Sequence, residues 1–206
     1  WMPATPINAR AVAKWGQQWG FTVGNGVTKL MQGNNFEADY RKHLYPFQME
    51  GVDFIHATDG RCILADQMGL GKTVQALVWL AEKRLPALII SPASVMYKWQ
   101  REIERWNNQF ASQIVTTSKE PIYWQDSHII MSYDMSRRLY PILKDKMFSV
   151  IIADESHYLA SENSARTRCI GNLHTKYLIG MSGTPFLNKP VELFPFLHML
   201  QPHVWN

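Results

Sequence analysis

Cysteine is scarce in this chain. Cys62 and Cys169 are the only two, far apart and in segments of different type, so they read as small buried hydrophobes in a reducing compartment and not as a disulfide framework. Clusters of His, Cys and acidic residues at metal-ligand spacing are missing too, which argues against a structural metal centre. The longest apolar runs are strand-sized, which excludes a membrane-spanning helix, and the opening WMPATPINAR lacks the apolar stretch of a signal peptide. An intracellular protein with no membrane partner is expected. Internal repeats and low-complexity tracts are absent as well. What is present is 206 residues, 46% apolar and 18% charged, enough to bury a substantial core around one main domain. A formal net charge of +4 and a pI near 9.1 suit a polyanionic partner, although so small an excess is common among proteins that bind none. The chain opens on Trp1 and stops at Asn206 just after a helical pattern, which reads as a piece of something longer.

From Leu44 onward, short apolar runs rich in β-branched residues alternate with longer stretches of helical period, the pattern of parallel strands joined by crossover helices. The expected strands are RCILAD (61–66), ALIIS (87–91), QIVTT (113–117), HIIMS (128–132), SVIIAD (149–154) and KYLIGMS (176–182). None alternates cleanly, as befits strands covered on both faces. In SVMYKWQREIERW (94–106), Val95, Trp99, Ile103 and Trp106 share one helical face, while Lys98, Arg101 and Arg105 share another. The expected fold is α/β, a three-layer domain with a mostly parallel sheet and helices on both faces. In such sheets ligands sit beyond the carboxyl ends of the strands, here after Asp66, Ser91, Asp154 and Ser182. Residues 1–40 differ: Thr5-Pro6 resembles a helix start, Gly20 would close a short helix carrying Trp15 and Trp19, and GNG (24–26) marks a turn. They read as an appendage or the end of a preceding domain.

The stretch DQMGLGKT (66–73) follows the first strand and precedes a helix that would turn Val74, Leu77, Val78 and Ala81 inward. It nearly fits the phosphate-loop pattern G-x-x-x-x-G-K-[ST], with Asp66 where the first glycine is usual. Gly69 and Gly71 let the chain approach a phosphate closely, so that backbone N–H groups and the positive end of the helix can hold it. Asp66 can tolerate an unusual backbone or hydrogen-bond locally. Lys72 would reach the β- and γ-phosphates and Thr73 would ligate Mg²⁺. The bland alternative is a glycine turn that happens to precede Lys-Thr. A second motif weighs against it. SVIIADES ends an apolar strand on Asp154-Glu155, where one carboxylate can hold Mg²⁺ and its neighbour can orient or deprotonate water. Alone, the pair would read slightly more readily as a solvated turn. Both motifs fall on the same sheet edge in the order that nucleotide hydrolases require.

The full series LYPFQMEGVDFI (44–55), DQMGLGKT (66–73), SPASVMYKWQREIERW (91–106), MSYDM (131–135), DESH (154–157) and MSGTPFLN (181–188) resembles the ordered motifs of superfamily 2 helicase-like ATPases, and most of all the SNF2 family. The resemblance covers residues 41–200 and implies a RecA-like P-loop lobe, with 201–206 opening a linker to a second lobe. In that family the loop reads D-x-M-G-L-G-K-T, which accounts for Asp66. Leu-Tyr-Pro-Phe-Gln and Asp-Glu-Ser-His are closest to the annealing-helicase, fork-remodelling group. The resemblance implies an ATP site made of Gln48, which reads adenine, and of Asp66, Gln67, Met68, Gly69, Leu70, Gly71, Lys72 and Thr73. A carboxamide can indeed pair with two atoms of an adenine edge. Lys72, Asp154 and Glu155 are the implied catalytic residues, and Thr73 and Asp154 the implied Mg²⁺ ligands. His157, Ser182, Gly183 and Thr184 match the motifs that couple the γ-phosphate site to nucleic acid.

Nucleic acid would then lie along Pro92, Ser94, Lys98, Trp99, Ser132 and Tyr133, groups that suit a phosphate backbone and read no sequence. Trp99 sits on the apolar helical face, which favours core packing over base stacking. The row Lys98, Arg101 and Arg105 reads equally as a solvated face. A DEAD-box RNA helicase is the near rival, but Ser156-His157 stands in place of Ala-Asp and Ser182-Gly183-Thr184 in place of Ser-Ala-Thr, so double-stranded or forked DNA is the expected partner. In the family, ATP sits between two lobes and the second supplies arginine fingers; no second motif series follows in these residues. Weak ATP binding and little hydrolysis by this chain alone are expected. A stand-alone ATP- or DNA-binding regulator stays open beside the translocase, and a phosphoryl-transferring kinase more remotely.

Overall fold

A computed structural model describes residues 40–125, 127–185 and 189–205. The chain divides into two compact units, residues 1–43 and 44–206. Of the first, the described part is a 3-10 turn at Tyr40–His43; the helix expected from Thr5-Pro6 and the turn at 24–26 lie outside the described residues.

The second unit is a six-stranded sheet, all parallel: β1 Arg61–Leu64, β2 Ala87–Ser91, β3 Ala111–Val115, β4 Ser127–Ser132, β5 Met147–Asp154 and β6 His174–Met181, in the order β1-β6-β5-β2-β4-β3. Among the described residues six α-helices accompany it: α1 Pro46–Ala57, α2 Lys72–Lys83, α3 Met96–Trp106, α4 Tyr133–Leu143, α5 Ala165–Gly171 and α6 Phe194–Leu200. Successive strand side chains point to opposite faces. Leu88, Ile90, Ile129, Met131, Ile151 and Leu178 pack with Leu139 of α4, Ile170 of α5 and Phe196 of α6 on one face. Ile89, Ile130, Val150, Ile152 and Ile179, equally enclosed, point the other way, where α1, α2 and α3 pack side by side. The middle strands β2 and β5 are therefore nearly continuous apolar runs.

Local chemistry sets the element ends. Proline opens α1, where its missing N–H is no loss, and Ser132 caps α4 by accepting from Met135 N–H. Arg61 donates to the carbonyls of Met199 (2.6 Å) and Leu200 (2.8 Å), tying down the carbonyls that the end of α6 leaves open. Three expected strands end early, β6 by a single residue at Met181. β1 stops at Leu64, which releases Ala65 and Asp66 to the following loop. β3 lies two residues before the expected QIVTT, because Thr117 Oγ1 accepts from Lys119 N–H in a turn; this local bond outweighs the β propensity of threonine. Among the described residues no helix is long and apolar enough to cross a membrane.

From the middle of the sheet the chain winds outward in both directions: from β2 it proceeds toward β3 and β4, from β5 toward β6. The crevice at the carboxyl ends of β2 and β5 is thus a switch point, the place where open α/β sheets hold ligands.

Candidate ATP site

The loop between β1 and α2 crosses to the helix through two glycines in left-handed backbone, Gly69 at φ 86° and Gly71 at φ 80°. A side chain at Gly71 would displace the Gln48 carboxamide, whose Nε2 lies where its Cβ would stand. Asp66 is not in that backbone region; the described non-glycine residues with positive φ are Asp59, Arg84 and Glu155. It works by hydrogen bonding instead. Gln75, fully buried on the second turn of α2, donates from Nε2 to Asp66 Oδ2 at 2.9 Å. Gly51 of α1 makes space for that carboxamide, as a Cβ there would meet Gln75 Oε1. Lys72 Nζ donates to the carbonyls of Asp66 (2.6 Å) and Gln67 (3.1 Å), leaving one of its three N–H groups for a phosphate. Gln48 also serves the loop: Nε2 donates to Leu70 O at 3.2 Å and Oε1 accepts from Tyr45 N–H at 3.1 Å. One N–H and one lone pair of its carboxamide stay available.

On the same side of the switch point, with only β6 between β1 and β5, lie the two acidic residues. Asp154 closes β5, and burial, with the like charge of Glu155 adding to it, raises its pKa above the usual carboxylate value; the N–H donors of Trp99 and Glu155 and the charge of Lys72 oppose the rise. Glu155 adopts φ 52° and ψ 53°, a left-handed conformation that costs a non-glycine residue about 1–3 kcal/mol and clusters at functional sites. That turn aims its carboxylate at the end of β6. Ser182 Oγ donates to Glu155 Oε2 at 3.4 Å and accepts from Thr184 N–H at 3.2 Å. Its remaining lone pair accepts from His157 Nδ1 at 3.0 Å, an assignment that puts the proton on Nδ1. His157 Nδ1 is also 3.2 Å from Glu155 Oε2. Gly183 lets the loop settle on it, since a Cβ would come within 2.6 Å of Met68 Cγ.

Gly69, Gly71, Lys72, Thr73, Asp154 and Glu155 share one cleft of about 300 Å³, with Val95, just before α3, and Lys98, Trp99 and Glu102 of α3 closing a side. Among the described residues no group of three or more His, Cys, Asp or Glu could hold a metal by itself. A hydroxyl and a carboxylate facing one cleft fit Mg²⁺, which keeps several waters and substrate phosphates as ligands and needs few protein oxygens.

A sequence profile described as the SNF2-related domain matches residues 47–206. The chain belongs to that family. Its similarity to known SNF2 proteins includes 35% identity over 178 residues to "DNA annealing helicase and endonuclease ZRANB3" of Bos taurus, covering 79% of this chain and 16% of that protein. "SWI/SNF-related matrix-associated actin-dependent regulator of chromatin subfamily A-like protein 1" of Bos taurus is 38% identical over 167 residues, covering 77% and 17%. Among solved structures, the "Sulfolobus solfataricus SWI2/SNF2 ATPase core in complex with dsDNA" aligns with a TM-score of 0.69 at 28% identity, over 78% of this chain and 36% of that one. The RecA-like three-layer fold and the annealing-helicase wording of the motifs agree with these matches. The chain spans less than a fifth of the two curated relatives.

Within this SNF2 domain the residues expected on nucleic acid separate into two sets. Ser94 and Lys98 are exposed, and Pro92 and Ser132 are partly so, at the carboxyl ends of β2 and β4. Trp99 and Tyr133 are buried, at 1% and 3% exposure. Neither ring offers a face to a base, so base stacking is not what these two side chains do. Val74 and Val95, expected inward, are only partly covered because both line the cleft. Gln75, Glu102 and Met181 are site residues that the sequence reading missed. Gln75 stands three residues after Lys72, one turn along the same face, which is the signal that could have found it.

Proposed function

We propose that this chain is the ATP-binding lobe of an SNF2-type, DNA-dependent ATPase that translocates on or remodels double-stranded DNA. The observation that carries this reading is the convergence of Lys72, Thr73, Asp154 and Glu155 from two separate segments on one cleft. Phosphates would lie against the N–H groups of the glycine loop and the start of α2, with the free N–H of Lys72 on a β- or γ-oxygen. Thr73 and Asp154 would hold Mg²⁺, which when bound neutralises charge on the phosphate oxygens. Glu155, oriented by Ser182 and His157, would take up the proton of the attacking water. Gln48 would present its free N–H and lone pair to the adenine edge. Duplex or forked DNA would run past Pro92, Ser94, Lys98 and Ser132, contacts that hold the phosphate backbone without reading sequence.

The test is phosphate release from ATP by the full natural chain, alone and with duplex DNA, single-stranded DNA or RNA, with Lys72→Ala as control. Strong stimulation by duplex or forked DNA that disappears in Lys72→Ala is expected. Stimulation by RNA alone would move the chain to the RNA helicases. ATP binding with no stimulation by any polymer would make it a regulatory binding module.

A further inference from the structure

Trp99 and Tyr133, removed by burial from the nucleic-acid surface, both hold one residue. Trp99 Nε1–H donates to Asp154 Oδ2 at 2.8 Å, and the Tyr133 hydroxyl donates to the main-chain carbonyl of Asp154 at 2.8 Å. The other carboxylate oxygen, Oδ1, accepts from Glu155 N–H at 3.0 Å. Trp99 follows exposed Lys98 on α3, and Tyr133 is the first residue of α4, directly after Ser132. These helices leave the carboxyl ends of β2 and β4, which are paired, and β5 with Asp154 is the other neighbour of β2. On each helix a single buried side chain therefore reaches from the end that carries the expected backbone contacts to Asp154.

We propose that Trp99 and Tyr133 are positioning residues that tie the nucleic-acid ends of α3 and α4 to the Mg²⁺-holding carboxylate of Asp154, so that seating DNA sets the orientation of that carboxylate. The inference rests on the ATPase reading above. Its physics is that of an outer hydrogen bond on a metal ligand: two N–H donors fix the plane of the carboxylate and leave only its remaining lone pairs for a cation. An indole N–H suits this task because it donates only and cannot compete for the metal. The Tyr133 bond acts on the backbone, at the peptide where Glu155 turns left-handed. Tyr133 is itself steadied by stacking on Tyr158, ring centres 5.5 Å apart and 17° between planes.

Trp99→Phe keeps an aromatic ring in the packed position and removes the donor; Tyr133→Phe removes one oxygen, and keeps the test readable should the first variant fail to fold. In the full natural chain, the affinity for a non-hydrolysable ATP analogue is measured with Mg²⁺ and with EDTA, each with and without duplex DNA. In the wild type Mg²⁺ tightens binding, and DNA increases that tightening. Trp99→Phe is expected to lose about tenfold more affinity with Mg²⁺ than with EDTA, and both variants to lose the DNA effect while binding duplex, in the absence of nucleotide, as tightly as the wild type. An equal loss with Mg²⁺ and with EDTA would mark the two as packing residues and overturn the proposal. So would unchanged behaviour in all four conditions, or a fall in DNA affinity measured without nucleotide. A wild type that binds no nucleotide would overturn the ATPase reading instead, and the coupling with it.

Discussion

Asp66 stands where the general phosphate-loop pattern has glycine, and its carboxylate explains the exchange: it is the acceptor for Gln75, whose carboxamide is fully buried between α1 and α2. Restoring the general pattern should therefore harm this protein. Asp66→Gly would leave the Gln75 N–H without its acceptor beside an Oε1 that already has no partner, at a cost of about 1–3 kcal/mol, and would add backbone freedom to the unfolded loop. Urea unfolding should show a lower midpoint at unchanged slope, and nucleotide affinity should fall with it; a variant as stable as the wild type would show that the Gln75 bond contributes nothing. At this scale the sequence was legible where backbone needs dictate residue type. Gly69 and Gly71 adopt the left-handed backbone that glycine tolerates, and Lys72, Thr73, Asp154 and Glu155 meet because strand ends of a parallel sheet share an edge. The partners of Trp99 and Tyr133 were not legible. Which atom a buried ring reaches depends on the helix's placement over the sheet, which periodicity does not fix.

Strands and helices were legible by type, and their ends less so, for reasons visible in β3 and β4. β3 is an edge strand paired only with β4, so the turn chemistry at Thr117 can claim residues that a central strand would retain. In β4, HIIMS reads as an apolar run opened by a polar residue, yet His128 is fully buried. Its Nδ1 accepts from Ala87 N–H of β2 at 3.2 Å, which leaves Nε2 protonated and without a partner. Burial lowers its pKa from 6.5 to about 4. Between these values the unfolded chain binds the proton and the folded one does not, so stability falls as pH drops through the window from 6.5 to 4. The loss amounts to roughly 3 kcal/mol when complete. His128→Asn, whose amide oxygen can take the Ala87 N–H, should remove this dependence. Denaturant unfolding of both proteins at a series of pH values would show it; parallel profiles would mean that His128 does not control acid stability.

For the whole molecule, the strand order decides what the site can do alone. Winding outward from β2 and β5 gathers the glycine loop, α3 and the acidic pair on a single edge, which leaves the cleft with its described cations, Lys72 and Lys98, and no arginine on its described walls. Phosphoryl transfer gains about 10³ to 10⁵ in rate from an arginine that neutralises the transition state. Lysine at the glycine loop meets the ground-state phosphates as a point charge and lacks the planar fork of a guanidinium. We propose that a second RecA-like lobe supplies the arginine, so that the 206-residue chain should bind ATP and turn it over at least about 10³ times more slowly than the full natural protein on duplex DNA. Comparing phosphate release from the two at saturating ATP and DNA checks this. Comparable rates would require that these residues complete the site themselves, and a rate that rises with the square of protein concentration would identify the completing body as a second copy of the chain.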